Sequence, residues 1–225
     1  ERGGRGRRLM RLVLFDCDGT LVDSAKLIHE VMARTFVDFG HARPDVAETK
    51  AIIGLTLDIA IARMQGKPHV DDEALAMTAH YKATYMGVRA EAGFQEPLFP
   101  GIAAMMARLE REDALLLGAV TGKSRRGLDL IRATHGFDST FFVSRTADDC
   151  PSKPHPAMVT ECCDEAGIDA ARTVVIGDAI YDMQMAKAAG ARAIGVSWVY
   201  ASVPELVEAG ADHILRTPAD LIDWL

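Results

Sequence analysis

The sequence predicts an α/β fold, a doubly wound parallel sheet with a helical domain inserted after its first strand. A short apolar run, Leu12 to Phe15, ends abruptly in acidic residues and Gly, as a strand buried in a parallel sheet does. From 25 to 92, apolar residues recur at three- and four-residue spacings, which indicates helices without strands. From Ile102 onward, strand and helix patterns alternate, which favours parallel strands joined by right-handed crossovers.

The elements follow from local signals in chain order. Ser24 and Gly40 bracket the first helix of the insertion, as an N-cap and a stop, and three shorter helices are expected near 44–52, 56–65 and 70–90. Gly93 to Gly101 is rich in Pro and Gly and is the predicted return connection. Further strands are expected over 115–120, 141–143, 173–176, 193–196 and 213–215, and further helices over 102–109, 124–135, 156–166, 179–189, 204–209 and 218–224.

These elements divide the chain into a core over 10–24 and 93–225 and a cap over 25–92. We expect residues 1–9 to be an arm outside the folded body, disordered or foreign to the protein, because Met10 directly precedes the first strand. The arm holds four Arg and one Glu and carries a net charge of +3. Because the whole chain carries −7, the remaining residues carry −10. An acidic body argues against a nucleic-acid partner and suits an enzyme that holds a divalent cation.

Composition and cysteine usage point to a folded cytoplasmic protein. Hydrophobic residues make up 49% of the 225 residues, which is ample for a packed core. The apolar run before Asp16 is too short for a secretory signal, and no stretch approaches the length of a membrane span. The four cysteines show no metal-binding spacing, so we expect reduced thiols. The sequence leaves open whether the protein is a monomer or a homodimer.

Two carboxylates directly follow the first strand. Asp16 and Asp18 alternate around Cys17, and a strand cannot bury such a pair without a partner. They are therefore expected at its C-terminal end, where open α/β sheets place their active sites. The two charges repel each other, and a bound cation relieves that repulsion, while Gly19 lets the backbone turn towards a ligand. The alternative is an ordinary acidic turn, since Asp-Gly is a common turn dipeptide.

Two further sites offer groups for an anion. Thr121 and Gly122 follow the predicted strand 115–120 and open a helix, so a hydroxyl and a backbone N–H meet at a helix start. The alternative there is a simple helix cap. Lys153 stands before Pro154 on a stiffened backbone and could pair with a phosphate and with Asp16. Its alternative is a solvated surface lysine.

A second acidic pair follows the strand predicted over 173–176. Asp178 ends that strand, and Asp182 lies one helical turn later on the same face. Both could point at a shared cation, one carboxylate as a direct ligand and the other orienting the groups around the ion. The alternative reading, an N-cap and a first-turn carboxylate on the helix dipole, is compatible with the first.

These four sites, in their order along the chain, resemble the four signatures of the haloacid dehalogenase-like hydrolase superfamily. The signatures are D-x-D-G-T, a Thr after the second strand, a Lys, and G-D-x-x-x-D. The resemblance spans Met10 to Leu225. It is most specific for subfamily IA, the phosphoglycolate phosphatase-like members, through these stretches: LVDS, Phe99-Pro100-Gly101, Lys153-Pro154, Trp198-x-Tyr200 and Ala209-Gly210-Ala211-Asp212.

The resemblance implies a magnesium-dependent phosphatase. Asp16 would attack phosphorus and form an aspartyl-phosphate, and Asp18 would protonate the leaving oxygen and then activate water. Asp16, the Asp18 backbone carbonyl and Asp178 would hold Mg²⁺, with Asp182 orienting the metal shell. Of the remaining groups, those expected to bind phosphate are Thr121, the Gly122 amide and Lys153, and those expected to contact substrate from the cap are Gly54, Leu55 and Thr56.

The cap sequence narrows the range of expected substrates. No basic residue lies between Ala51 and Ile61, so a second phosphate would find little to pair with. We expect a small phosphomonoester, with phosphoglycolate as the leading candidate and small sugar phosphates, nucleoside monophosphates or pyrophosphate as alternatives. Asp18 argues against a dehalogenase, and Leu57 stands where phosphonoacetaldehyde hydrolases carry a lysine and mutases of the β-phosphoglucomutase type an arginine. A binding protein without catalysis is the alternative from another class.

Overall fold

Six parallel strands form the sheet of the computed structural model, which describes residues 9–198 and 202–225. The strands are β1 (Arg11–Phe15), β2 (Leu115–Val120), β3 (Val143–Arg145), β4 (Thr173–Gly177), β5 (Arg192–Val196) and β6 (His213–Leu215). Their order across the sheet is β3-β2-β1-β4-β5-β6. Because the chain builds outward from β1 on one side and then returns to β4 on the other, the strand order reverses next to β1. The predicted doubly wound class is confirmed.

Helices cover both faces of the sheet and form the insertion. They are α1 (Ala25–Asp38), α2 (Val46–Lys50), α3 (Leu57–Met64), α4 (Asp72–Ala90), α5 (Ile102–Leu109), α6 (Arg125–His135), α7 (Ala157–Ala166), α8 (Ile180–Ala189) and α9 (Val203–Glu208). Short 3₁₀ helices cover Ala170–Arg172 and Pro218–Trp224. Within the described residues, no helix is long and apolar enough to cross a membrane.

Strand β1 shows how alternation builds the two layers. Val13 and Phe15 pack into the core that contains α5, α6 and the last 3₁₀ helix. Leu12 and Leu14 pack into the opposite core, which contains α7, α8 and α9. All four side chains are fully buried. Because both faces of β1 are covered, it reads as a continuous apolar run rather than an alternating one.

Helices α1 to α4 form the cap, which lies between β1 and β2 in the chain and has an apolar core of its own. In it, α4 packs against α1 and α3, and Leu27, Met32, Ile61 and Met77 are fully buried. Tyr181 of the core domain packs against the edge of this cluster. The side chains that predicted the amphipathic helices are therefore the ones that hold the cap together.

Beyond shifts of one or two residues at helix ends and of one residue at strand ends, three details differ from the sequence expectations. Strand β3 begins two residues later than predicted, because Phe141 and Phe142 approach the sheet before regular pairing with β2 starts at Val143. The last helix is 3₁₀ rather than α. Ser24 occupies the N-cap position of α1, but its side chain makes no capping hydrogen bond.

Two sequence features fall outside the described residues. The predicted arm lies there except for Leu9, and so does Tyr200 of the Trp198-x-Tyr200 stretch. The four cysteines are all described; each is free and buried, as expected for reduced thiols.

Candidate active site

The carboxyl ends of the central strands bring the predicted site residues together. Asp16 follows β1, Thr121 follows β2, Lys153 lies in the connection from β3 to α7, and Asp178 follows β4. Each of these side chains is almost fully buried, and so is Asp182 in the first turn of α8. Residues that are far apart in sequence thus meet at one edge, because parallel strands all end on the same side of the sheet.

Three carboxylates form the centre of the site. One oxygen each of Asp16, Asp178 and Asp182 lies within 4.8 Å of the others. Asp16 Oδ2 is buried and receives no hydrogen bond from the described residues. A compact set of carboxylate oxygens with an unbonded member is the donor set that a hard cation such as Mg²⁺ prefers. These residues therefore fit a magnesium ion.

The electrostatics of the cluster point the same way. Burial raises the pKa of Asp16 to about 6, against the opposing charge of Lys153. Burial also raises the pKa of Asp178 well above its ordinary value, and the charges of Asp16 and Asp182 raise it further. Because a bound cation stabilises the ionised forms, it would offset both the desolvation and the mutual repulsion.

Gly19 and Thr20 bring the loop after β1 against the loop after β4. Gly19 has a φ of 83°, and a Cβ at this position would lie 2.2 Å from Asp178 Oδ2. Only glycine fits both the backbone conformation and the contact. The Thr20 hydroxyl donates to Asp178 Oδ1 at 3.0 Å, and the Trp198 indole donates to the Thr20 carbonyl at 3.3 Å. This packing fixes the orientation of Asp178 relative to Asp16.

Lys153 bridges two of the carboxylates. Its Nζ lies 2.9 Å from Asp16 Oδ1 and 2.6 Å from Asp182 Oδ1. Burial disfavours its charge, but the two carboxylates outweigh burial and raise the pKa of Lys153 above its ordinary value. Asp182 Oδ2 accepts from the Ala179 amide at 3.1 Å. Asp182 therefore anchors Lys153, a role that the sequence analysis did not assign to it, and it also holds the start of α8, as its alternative interpretation as a first-turn carboxylate predicts.

A second charged cluster surrounds Asp18. The Ser24 hydroxyl donates to Asp18 Oδ1 at 2.5 Å, and Lys123 Nζ lies 2.8 Å from the same oxygen. Burial raises the pKa of Asp18, although Lys123 opposes the shift. The Ser24 side chain that does not cap α1 thus orients Asp18 instead.

Glu96 is a residue that the sequence analysis missed. It lies in the connection from the cap back to the core, is 2% exposed, and pairs with Lys123 at 2.7 Å. Its carboxylate also accepts from the Tyr85 hydroxyl at 2.8 Å and from Arg89 Nε at 3.0 Å. The available signal was a single acidic residue among the apolar, Pro- and Gly-rich residues of that connection. Glu96 links both donors on α4 to the lysine beside Asp18.

The loop before α3 closes the cap onto the core. A Cβ on Gly122 would lie 2.6 Å from the Leu55 carbonyl oxygen and 2.8 Å from that of Gly54. The Thr56 amide donates to Ser152 Oγ at 3.0 Å. The three cap residues singled out in the sequence, Gly54, Leu55 and Thr56, therefore lie against core loops at the site. Thr121, just before Gly122, is fully buried and accepts from the Lys123 amide at 3.2 Å.

A cavity of about 570 Å³ lies between cap and core and reaches Asp18. Its core side is formed by residues that follow β2, including Gly122 and Lys123, and its cap side by the loop before α3 and by α4. Asp18, two residues after Asp16, is thus adjacent to a partly open space of ligand size.

Comparison with known proteins identifies the family to which this chain belongs. Residues 13–196 match the family model of the haloacid dehalogenase-like hydrolases. The chain belongs to this family. A "Probable phosphatase IndB" of Dickeya dadantii is 31% identical over 94% of this chain and 91% of its own length. The phosphoglycolate phosphatases of Synechococcus elongatus and Yersinia pestis are 27% and 29% identical, over 95% and 96% of this chain and 96% and 93% of their own lengths.

Solved structures support the fold of this haloacid dehalogenase-like hydrolase. A hydrolase from Pseudomonas syringae superposes with a TM-score of 0.83 at 22% identity, covering 96% of this chain and 97% of that one. A haloacid dehalogenase-like family protein from Streptococcus pneumoniae gives a TM-score of 0.80 at 22% identity, covering 96% and 98%. The expected family, with phosphoglycolate phosphatase-like relatives, and the expected class of hydrolase are confirmed.

Proposed function

We propose that this hydrolase is a Mg²⁺-dependent phosphatase that cleaves a phosphomonoester through an aspartyl-phosphate on Asp16. The observation that carries the proposal is the state of the Asp16 carboxylate. It is buried at the end of the central strand and oriented by Lys153 at 2.9 Å, and its Oδ2 receives no hydrogen bond from the part of the chain that the structure describes. A carboxylate held in this way is placed to attack a bound phosphoryl group.

In the first step, an Asp16 oxygen forms a bond to phosphorus while the ester P–O bond breaks. Asp18 gives its proton to the departing alkoxide, so the alcohol leaves neutral. Ser24 and Lys123 occupy Asp18 Oδ1, and we assign the proton transfer to the other oxygen. In the second step, Asp18 takes a proton from water, which attacks phosphorus and releases inorganic phosphate and the free Asp16 carboxylate.

The surrounding groups bind the charges of the phosphoryl group. Lys153, the Thr121 hydroxyl and the Gly122 amide are assigned to its oxygens. Asp16, the Asp18 carbonyl and Asp178 are assigned to Mg²⁺. When bound, the ion neutralises charge on the phosphoryl oxygens. Asp182, through Lys153, keeps the ammonium in position.

The relatives' names make phosphoglycolate the first ester to test. Small sugar phosphates, nucleoside monophosphates and pyrophosphate remain the alternatives. We also propose that the protein acts in the cytoplasm on a phosphorylated metabolite, as a monomer or a homodimer, without nucleic-acid or membrane partners.

The test is phosphate release from a panel of esters in the presence of Mg²⁺, with wild type, Asp16→Asn and Asp129→Asn. Asp129 lies on α6 with an exposed side chain, so Asp129→Asn is a matched control. Asp16→Asn is expected to lose activity by at least about 10⁴-fold, because loss of a nucleophile costs far more than loss of a positioning group. Acid-quenched wild type should carry phosphate on Asp16. An Asp16→Asn variant with a tenth of the wild-type rate would rule out this mechanism.

A further inference from the structure

We infer that the preferred substrate is a phosphomonoester whose alcohol part is uncharged and carries an apolar or ring-shaped body larger than glycolate. The inference rests on the proposed phosphatase activity and changes the order among its candidate substrates. It comes from three properties of the cavity between cap and core: its size when the cap is closed, its apolar lining, and the pairing of its cations.

The cavity remains large although the cap already touches the core. The contact of Gly122 with the Leu55 carbonyl and the hydrogen bond from Thr56 to Ser152 leave no room for further approach at that loop. A partly open space of about 570 Å³ nevertheless remains, within the range of pockets that hold drug-sized ligands. A water molecule takes about 30 Å³ in the liquid. The two-carbon glycolate body would therefore leave most of this space filled with water.

The lining favours an apolar body. The larger side chains that line the cavity include Met32, Ile52, Leu55, Leu57, Tyr81 and Tyr85. Tyr81 is 7% exposed, and the hydroxyl of Tyr85 already donates to Glu96. Apolar and aromatic walls gain free energy by excluding water around an apolar ligand, and they gain none from a carboxylate.

The cations around the cavity do not favour an acidic leaving group. Lys123 is the lysine nearest Asp18, and it already pairs with Asp18 at 2.8 Å and Glu96 at 2.7 Å. A carboxylate on the carbon next to the ester carbon, as in phosphoglycolate, would lie near these two acids. It would have to compete with both for one ammonium group, which costs binding energy.

Two more basic residues line the cavity, and both are exposed. Lys82 is 54% exposed at its side chain and lies 3.9 Å from Asp148, and Arg126 is exposed at the start of α6. Because both are exposed to solvent, they attract a carboxylate next to the ester carbon less strongly than a buried cation would.

The first experiment measures kcat/KM for benzyl phosphate, a nucleoside 5′-monophosphate and phosphoglycolate, which all release a primary alcohol. We expect benzyl phosphate and the nucleotide to exceed phosphoglycolate by at least about tenfold, the discrimination that a few methylene-sized contacts supply. A kcat/KM for phosphoglycolate equal to or above that of benzyl phosphate overturns the inference and leaves the proposed phosphatase intact. Absence of release from any ester, including simple aryl phosphates, overturns both.

The second experiment places a charge in the cavity. Leu57 lines it at the start of α3 and is partly exposed, so Leu57→Arg is compatible with folding. We expect kcat/KM for benzyl phosphate to fall about tenfold, mainly through KM, while the ratio of phosphoglycolate to benzyl phosphate rises. Val37→Arg, on an exposed position of α1 outside the cavity, should leave the ratio unchanged. An unchanged ratio in Leu57→Arg would show that the alcohol does not occupy this space.

Discussion

Glu96 Oε1 lies 2.7 Å from Lys123 Nζ, so the connection that leaves the cap is joined to the loop that follows β2. Lys123 in turn contacts Asp18, the proposed acid and base. Tyr85 and Arg89 bind the same Glu96 carboxylate from α4. A continuous set of charges and hydrogen bonds therefore runs from a cap helix to the catalytic loop, and it can be tested at Glu96.

Glu96→Gln is expected to destabilise the protein by at least about 2 kcal/mol at pH 7, because it removes one charge from a buried ion pair. Burial alone would raise the pKa of Glu96, but Lys123 and the hydrogen bonds from Tyr85 and Arg89 together outweigh burial, and the pKa is lowered. A carboxyl with a lowered folded-state pKa stabilises the fold above its unfolded pKa and loses that contribution as pH falls through the folded pKa.

The difference in Tm between wild type and Glu96→Gln should therefore be largest near neutral pH and shrink below about pH 4, where an ordinary Glu is protonated. Glu91→Gln is the matched control, because Glu91 pairs with Arg34 on the surface and such pairs contribute little. Thermal unfolding from pH 3 to 8 checks both variants. A Tm difference that does not depend on pH would mean that the Glu96 charge has no role.

Asp178→Asn should stabilise the protein in the absence of divalent cations, because it removes one of three carboxylates whose oxygens lie within 4.8 Å of each other. A gain of about 1 kcal/mol corresponds to a rise in Tm of roughly 2–4 °C for a chain of this size. At a Mg²⁺ concentration 100 times its Kd, the free energy of unfolding of wild type should rise by about 2.7 kcal/mol and its Tm should rise with it, whereas Asp178→Asn should show no such gain.

Asp182→Asn provides the contrast in the same measurement. It leaves Lys153 with one carboxylate instead of two, so Tm should fall with or without Mg²⁺.

Chelation of Mg²⁺ should remove wild-type activity, and Ca²⁺ should support less activity than Mg²⁺, because its looser coordination misplaces the in-line geometry. An Asp178→Asn protein that still gains Tm with Mg²⁺ would remove Asp178 from the ligands.

Gly122→Ala should impair turnover without unfolding the protein. The added methyl would meet the Leu55 and Gly54 carbonyl oxygens at 2.6 and 2.8 Å, so the cap loop must move away from the core. Because an open cap admits water and loses the alignment of substrate, kcat/KM should fall by about 10²-fold. Gly87→Ala is the control: it lies inside α4 with open space around its Cβ position and should raise stability slightly. Equal kcat/KM in Gly122→Ala and wild type would show that closure at this loop does not limit catalysis.

The sequence alone determined the fold class and the convergence of Asp16, Thr121, Lys153 and Asp178. Hydrophobic periodicity separates strands from helices, and the carboxyl ends of parallel strands share one edge, so residues just after those strands must meet wherever they lie in the chain. The apolar run before Asp16 indicated both a buried parallel strand and the edge of the sheet at which the site residues meet. The start of β3 lies two residues later than predicted, because Phe141 and Phe142 look like strand residues, whereas Phe141 is buried and Phe142 is 59% exposed before regular pairing with β2 begins at Val143.

Only the tertiary structure decided how the cap and the core meet. The pairing of Glu96 with Lys123, the contact of Gly122 with the loop of Leu55, and the size of the cavity between them depend on how a bundle of helices docks on a sheet. Periodicity tells which face of a helix is buried, but it does not tell against which surface, because apolar burial is not directional. Ser24 stands at the N-cap position that the sequence predicted, but its hydroxyl donates to the nearby Asp18 carboxyl group instead of capping the helix.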